Sequence, residues 1–214
     1  MLTRRLFLSA ALALGLSSAF AVMPARAQGE AEARDFIQTL ASEALEAVVA
    51  PVPVPQKINH FRQLFIKGFD LPEVSRFVLG RYWRGSTPEQ QQEFLSLFSE
   101  MTVLTWARRF MDYADQAGGT SIQVTNTTPD GEHGMLVETR VLRPGGQPPI
   151  LATWRLRSTS GQWQVVDIVV EGVSMAITYR SEYSSVLRAQ GGTMDGLLDV
   201  MRRRVAQMQA EYGL

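Results

Sequence analysis

The stretch Trp163–Arg188, WQVVDIVVEGVSMAITYRSEYSSVLR, constrains the fold more than any other part of the chain. Val165, Val166, Ile168, Val169 and Val170 form a β-branched run broken only by Asp167, the composition of a strand covered on both faces. At Glu171-Gly172 the pattern changes. Met175, Ile177, Tyr179, Tyr183, Val186 and Leu187 then recur at threes and fours, the period of a helix. Gly172 permits a sharp redirection, and Ser174 is placed to cap the helix by accepting an orphan N–H. A buried strand feeding directly into an amphipathic helix makes a sheet and a helical layer meet here. The space between those layers is the first place to look for function.

Upstream, the chain reads as helices. Phe36, Ile37, Leu40, Leu45 and Val48 share one face of a helix over residues 30–50, which the tract Pro51-Val-Pro-Val-Pro55 ends. Ile58, Phe61, Leu64, Phe65 and Phe69 mark a second helix. Asp70-Leu-Pro72 opens a third that runs to Leu79, with Gly80 as its stop. Thr87-Pro88-Glu89-Gln90 combines an N-cap, a proline at the first helical position and a glutamine at the third, which together make a capping box. The helix it starts carries Phe94, Leu97, Phe98, Met101 and Leu104 on one face as far as Tyr113, and Gly118-Gly119 closes the helical part.

From Ser121 the period becomes two. Ile122 and Val124 alternate with polar residues, as do Met135, Val137, Thr139 and Val141, and then Ile150, Ala152, Trp154 and Leu156. Pro129-Asp130-Gly131, Arg143-Pro-Gly-Gly146 and Ser160-Gly161 supply the turns, so four strands form an antiparallel meander. Thr193 caps a last helix with the stripe Met194, Leu197, Leu198, Met201, Val205 and Met208; Arg202 to Arg204 are expected late in it, where cations suit the helix dipole. Helices, then strands, then helices make an α+β fold: a twisted antiparallel sheet of about four strands packed by several helices.

The first residues belong to a different kind of segment. Thr3-Arg4-Arg5-Leu6-Phe7-Leu8, the apolar run from Ala10 to Val22 and the small-x-small triplet Ala25-Arg26-Ala27 have the layout of a twin-arginine-like export signal over 1–27, cleaved after Ala27. Residues 28–214 then form one domain: a helical part over 28–119, the sheet over 120–172 and C-terminal helices over 173–214. Cleavage removes Arg4, Arg5 and Arg26, leaving 18 Lys+Arg against 21 Asp+Glu, a net charge near −3. That balance argues against nucleic acid as a partner. There is no cysteine, so stability rests on packing.

Catalytic chemistry is sparsely provided. His60 and His133 are the two histidines, and neither has metal-ligand spacing, so no metal or cofactor is expected. Gly172-Val-Ser174-Met-Ala176 approaches a nucleophile elbow, but its last position is alanine and no histidine follows Ser174. Asp167, inside a valine run, needs a partner, and Arg140, Arg155 or Arg180 are the expected ones. No catalytic set emerges. Apolar surface arranged in two layers suits an interior pocket for an apolar ligand.

Several blocks together resemble the MlaC (toluene-tolerance Ttg2D) family: Phe61-Arg62-x-Leu64-Phe65-x-x-x-Phe69-Asp70; Phe77-Val-Leu-Gly80-Arg81-Tyr82-Trp83; Pro88-Glu-Gln-x-x-Glu93-Phe94; and Trp163-x-Val-x-Asp167-x-x-x-Glu171-Gly172-Val-Ser174 with Tyr179-Arg180-x-x-Tyr183. The proline tract and His60-Phe61-Arg62 also resemble the hopanoid-associated branch, HpnM. The resemblance implies a hydrophobic lipid pocket between sheet and helices and a periplasmic location. It implies a phospholipid or hopanoid-like lipid as cargo, with its tails buried and its head group largely outside. It further implies handover between an inner-membrane ABC transporter complex with an MCE-domain protein and an outer-membrane lipoprotein–porin complex.

Alternation and stripe membership select a lining for such a pocket: Val137, Thr139, Val141, Trp154, Leu156, Val166, Ile168 and Val170 from the sheet, and Phe65, Phe69, Phe98, Met101, Met175 and Tyr179 from the helices. Two other readings stay open at this point. One is a small pocket enzyme of isomerase or hydratase type, with Asp167 as the titrating group. The other is an envelope interaction module with a solid core.

Overall fold

The structure is a computed structural model that describes residues 25–114, 119–159 and 161–214. Most of the expected export signal, residues 1–24, lies outside that range, as do Gly118, Ser160 and the side chain of Val48.

Among the described residues, five helices precede the sheet: α1 (Ala25–Val49), α2 (Val54–Gly68), α3 (Leu71–Leu79), the short α4 (Arg81–Gly85) and α5 (Pro88–Ala114). The starts follow local chemistry. The Asp70 carboxylate accepts the Glu73 N–H at 2.9 Å, which caps α3. At α5 the capping box is reciprocal: Gln90 N–H donates to Thr87 Oγ1 at 3.3 Å, and Thr87 N–H donates to Gln90 Oε1 at 3.0 Å. Where α2 ends, Gly68 lets it approach α1 closely, since a β-carbon there would sit 2.8 Å from Leu40 Cδ2. The sequence pattern did not separate α4 from the turn that precedes α5.

The sheet is an antiparallel meander, β1 (Ser121–Pro129), β2 (Gly134–Leu142), β3 (Ile150–Thr159), β4 (Gln162–Val170) and β5 (Val173–Ser174), in the spatial order of the chain. The fifth strand is an addition to the four expected. Val170 pairs with Val173 across a two-residue turn in which Glu171 (φ 48°) and Gly172 (φ 81°) are both left-handed. Glu171 is held there because its N–H donates to Leu151 O at 3.0 Å while its carboxylate accepts the Leu151 N–H at 2.6 Å.

Register places Val137 opposite Trp154, Thr139 opposite Ala152 and Val141 opposite Ile150. Across the next pair, Ala152 meets Val170 and Trp154 meets Ile168, but Leu156 meets Val165, so β4 carries one extra residue in a bulge. The bulge interrupts the alternation and aligns fully buried Val165 with Leu156 rather than Val166.

Two helices, α6 (Met175–Ala189) and α7 (Met194–Tyr212), complete the chain. Thr193 caps α7 by accepting the Gly196 N–H. Because α7 continues to Tyr212, Arg202 to Arg204 lie in its middle rather than at its end. Arg202 is instead tied to Glu93 of α5 through both carboxylate oxygens, and to Asp199.

Three separate cores hold these layers. One joins α3, α5, α6 and α7 around Phe94, Phe98, Leu187 and Leu198. A second packs α1 and α2 on the sheet through Ile37, Leu64, Val137, Leu156 and Val165. The third joins α2, α5 and α7 through Ile58, Phe61, Phe65 and Leu104. They do not merge.

Candidate functional site

Between the three cores lies a cavity of about 600 Å³, walled by α1, α2, α3, α5, α6 and four of the strands. Its walls are mainly side chains of the amphipathic stripes. The aromatic floor comes from Phe65 of α2 and Phe69, the extended residue that ends it, whose rings stand 4.3 Å apart, and from Phe98 of α5, which meets Tyr179 of α6 edge-on at 5.7 Å. The sheet contributes Ile122, Val141, Ile150, Ala152, Trp154, Val166, Ile168 and Val170. Small side chains at Ala41, Ala44, Ala152 and Ala176 keep the space open where larger residues would fill it.

Polar groups in the wall are largely engaged. Trp154 Nε1 donates to Thr139 Oγ1 at 3.0 Å, and Thr139 Oγ1 donates to Ala152 O at 3.2 Å, which sets the indole against the sheet. Trp106 Nε1 donates to the Tyr179 hydroxyl at 3.1 Å and so links α5 to α6 across the cavity. Burial raises the Tyr179 hydroxyl above the usual tyrosine range despite the opposing effect of the indole N–H. Desolvation pushes neighbouring Tyr183 up further.

Among the described residues Asp167 has no arginine partner, contrary to expectation. Its carboxylate accepts the Ser174 hydroxyl at 2.6 Å and the Ala176 N–H at 2.9 Å, while Ser174 Oγ accepts the Ile177 N–H. Asp167 and Ser174 therefore satisfy consecutive orphan donors at the α6 N-terminus, where negative charge meets the positive end of the helix dipole. Arg155 bonds Asp130 instead, at 3.0 Å. Ser174, the serine of the apparent nucleophile elbow, is thus occupied together with Asp167 in holding the strand-to-helix junction.

Of the lining selected from sequence, the structure gathers Phe65, Phe69, Phe98, Val141, Trp154, Val166, Ile168, Val170, Met175 and Tyr179 around the cavity. Four others stand elsewhere. Val137 and Leu156, fully buried, face α1 in the second core, because register carries them to the part of the sheet that Ala33 and Ile37 cover. Met101 packs in the first core, with the Tyr183 hydroxyl 3.9 Å from its sulfur. Thr139 acts behind Trp154. The residues missed come from every wall: Leu40, Ala41, Ala44 and Leu45 of α1, Phe61 and Leu64 of α2, Leu71 and Val74 of α3, Trp106 of α5, Ile122, Ile150 and Ala152 of the sheet, and the charged Arg109 and Arg143 among them.

Both histidines are exposed, and among the described residues no three His, Cys, Asp or Glu side chains are grouped to hold a metal. Nor is any described helix long and apolar enough to cross a membrane.

An α+β domain with its cores held apart around an apolar cavity is a ligand-binding architecture. The chain belongs to the MlaC family, whose model, described as MlaC protein, matches residues 33–203. It is 29% identical over 133 residues to the intermembrane phospholipid transport system binding protein MlaC of Haemophilus influenzae, covering 61% of this chain and 59% of that one. It is 23% identical over 139 residues to the toluene tolerance protein ttg2D of Pseudomonas putida, covering 64% of this chain and 62% of that one. The match thus spans about three fifths of each relative. In three dimensions it resembles a phospholipid-binding protein from Ralstonia solanacearum solved in complex with a phospholipid. The TM-score is 0.72 at 20% identity, covering 83% of this chain and 98% of that one, and the likeness is one of fold.

Proposed function

We propose that this protein is a periplasmic lipid carrier. It takes up one phospholipid, buries the acyl chains in the cavity between sheet and helices, and passes the lipid between an inner-membrane transporter complex and an outer-membrane complex. The observation that carries this reading is the cavity of about 600 Å³, which falls within the ~300–1,000 Å³ range of binding sites and is walled mainly by apolar side chains. Membership of the MlaC family and the names of its relatives point the same way. The export motif of the first 27 residues agrees with a periplasmic location. Catalysis is not part of the proposal, because Asp167, the candidate for it, is committed to the α6 N-terminus.

Affinity needs little beyond burial, since each buried methylene contributes roughly 0.8 kcal/mol. Release is the harder step, and a partner must offer the chains a better site or favour an opened cavity. Native mass spectrometry of the protein taken from an envelope extract tests the reading. A stoichiometric phospholipid supports it as stated, whereas a hopanoid in its place keeps the carrier and changes the cargo. A protein that carries nothing, and takes nothing from lipid vesicles, refutes it.

A further inference from the structure

Three of the residues that line the cavity carry full charges: Asp167, Arg109 and Arg143. The carboxylate is already satisfied at the α6 N-terminus. The guanidiniums are different. Arg143 follows directly on β2, at the end of the sheet where Ser121 pairs with Leu142 and Val141 with Ile150. Its Nε and Nη2 donate to Pro148 O at 3.1 and 2.5 Å, which braces the β2–β3 loop and holds the group at the cavity edge. A guanidinium has five N–H donors, so three remain for a ligand. Arg109, exposed on α5, lies with its Cζ 5.2 Å from the centre of the Trp106 ring, a stacking that fixes its direction without consuming its donors. Its charge is felt inside, where it opposes the rise in the Tyr179 pKa. Among the described residues no carboxylate forms an ion pair with either arginine.

Two cations that line a low-dielectric cavity, with no ion-pair partner among the described residues, raise the positive potential there. Arginine presents its donors in the geometry of phosphate oxygens. We infer that Arg109 and Arg143 are the specificity-determining residues of the cavity, selecting lipids whose head group carries a phosphodiester over uncharged lipids with the same tails. The inference rests on the carrier reading above and assigns to two residues the choice of phosphate-bearing cargo. A diacylglycerol fills the same apolar space yet leaves both cations unanswered.

The test uses vesicles of phosphatidylethanolamine and diacylglycerol with identical acyl chains, so that the vesicle surface has no net charge. The lipid loaded onto the protein is extracted and the ratio of the two species measured. In the wild-type protein the phospholipid exceeds diacylglycerol by at least tenfold relative to the vesicles. Arg109→Gln and Arg143→Gln each lower that ratio about tenfold, the scale of one charge-assisted hydrogen bond, and Arg109→Lys restores part of it. Since Arg143 also braces a loop, Arg109→Gln decides if the Arg143 variant fails to fold. An unchanged ratio in Arg109→Gln overturns the inference. So does inorganic phosphate that binds the delipidated protein at these arginines while leaving the lipid ratio untouched, which would mark a free-anion site. A wild-type protein that loads neither lipid refutes the carrier reading itself.

Discussion

Replacing Ala152 with phenylalanine separates a true cavity from a tightly packed interior, because the two give opposite signs. Ala152 sits on central strand β3, opposite Thr139 and Val170, with its side chain against the cavity and only 8% exposed. The bonds it makes, its place in the sheet and the Thr139 hydroxyl on its carbonyl, involve the backbone and survive the change. A phenylalanine ring entering open apolar space contributes about 1.5–3 kcal/mol of burial, less about 0.5–1 kcal/mol of lost rotamer freedom. The lipid-free protein should therefore gain about 1–2 kcal/mol, or roughly 2–8 °C in Tm for a chain of this size. Lipid loading moves the other way. If the ring displaces about four methylenes at ~0.8 kcal/mol each, affinity falls by ~3 kcal/mol, on the order of a hundredfold or more. Calorimetry of the delipidated protein and a vesicle-loading assay read the two effects independently. A lowered Tm with unchanged loading would refute the reasoning, since overpacking a filled core costs about 1–3 kcal/mol.

Val166→Arg, which puts a charge into the cavity wall, should abolish lipid retention in any variant that remains folded by circular dichroism; full retention would remove Val166 from the binding surface. Asp167→Ala leaves the Ser174 hydroxyl and the Ala176 N–H without their acceptor and should lower stability by about 2–3 kcal/mol, with Asp167→Asn costing less because its amide oxygen can still accept. Equal costs for the two in thermal melts would contradict the capping role. Thr87→Ala removes half of the α5 capping box and should cost about 1 kcal/mol without altering lipid loading. The hydrogen bond from Arg157, with further help from Arg155, holds the Asp130 carboxyl below the usual aspartate range. The stability this contributes is present above the ordinary value near 3.9 and lost as pH falls through the lower folded value. Asp130→Asn should accordingly flatten the acid limb of a stability–pH curve, and an unchanged limb would show that the pair is too solvent-screened to matter.

The legible parts of the fold were those written in short-range chemistry. Asp70, Thr87, Ser174 and Thr193 each cap the helix that their spacing announces, because an N-cap needs only a side-chain oxygen and a backbone N–H within three residues. The meander was equally readable, since period-two alternation and Gly/Pro turns are local signals. Asp167 marks where such reading failed. A carboxylate in a valine run announces that it needs a partner, but the Ser174 hydroxyl and the Ala176 N–H across the turn are invisible to a search for arginines. The β4 bulge is a similar case: nothing in QWQVVDIVV says which valine will be the extra one, and register with β3 decides it.

The sequence by itself determined the order of helices and strands, their caps and turns, and which residues are apolar enough to leave water. It did not determine which of those residues pack against one another and which face empty space. Val137 and Val141 lie on one strand, one face and four residues apart, yet α1 covers the first and leaves the second lining the cavity. Both satisfy the same hydrophobic pattern, since a guest's methylenes and a protein's methyls are equivalent to water. The difference arises only when three cores form around different helix contacts and touch through a few half-buried side chains such as Ala44, Phe69 and Leu71, leaving space between them, a property of how the layers pack rather than of any residue's chemistry.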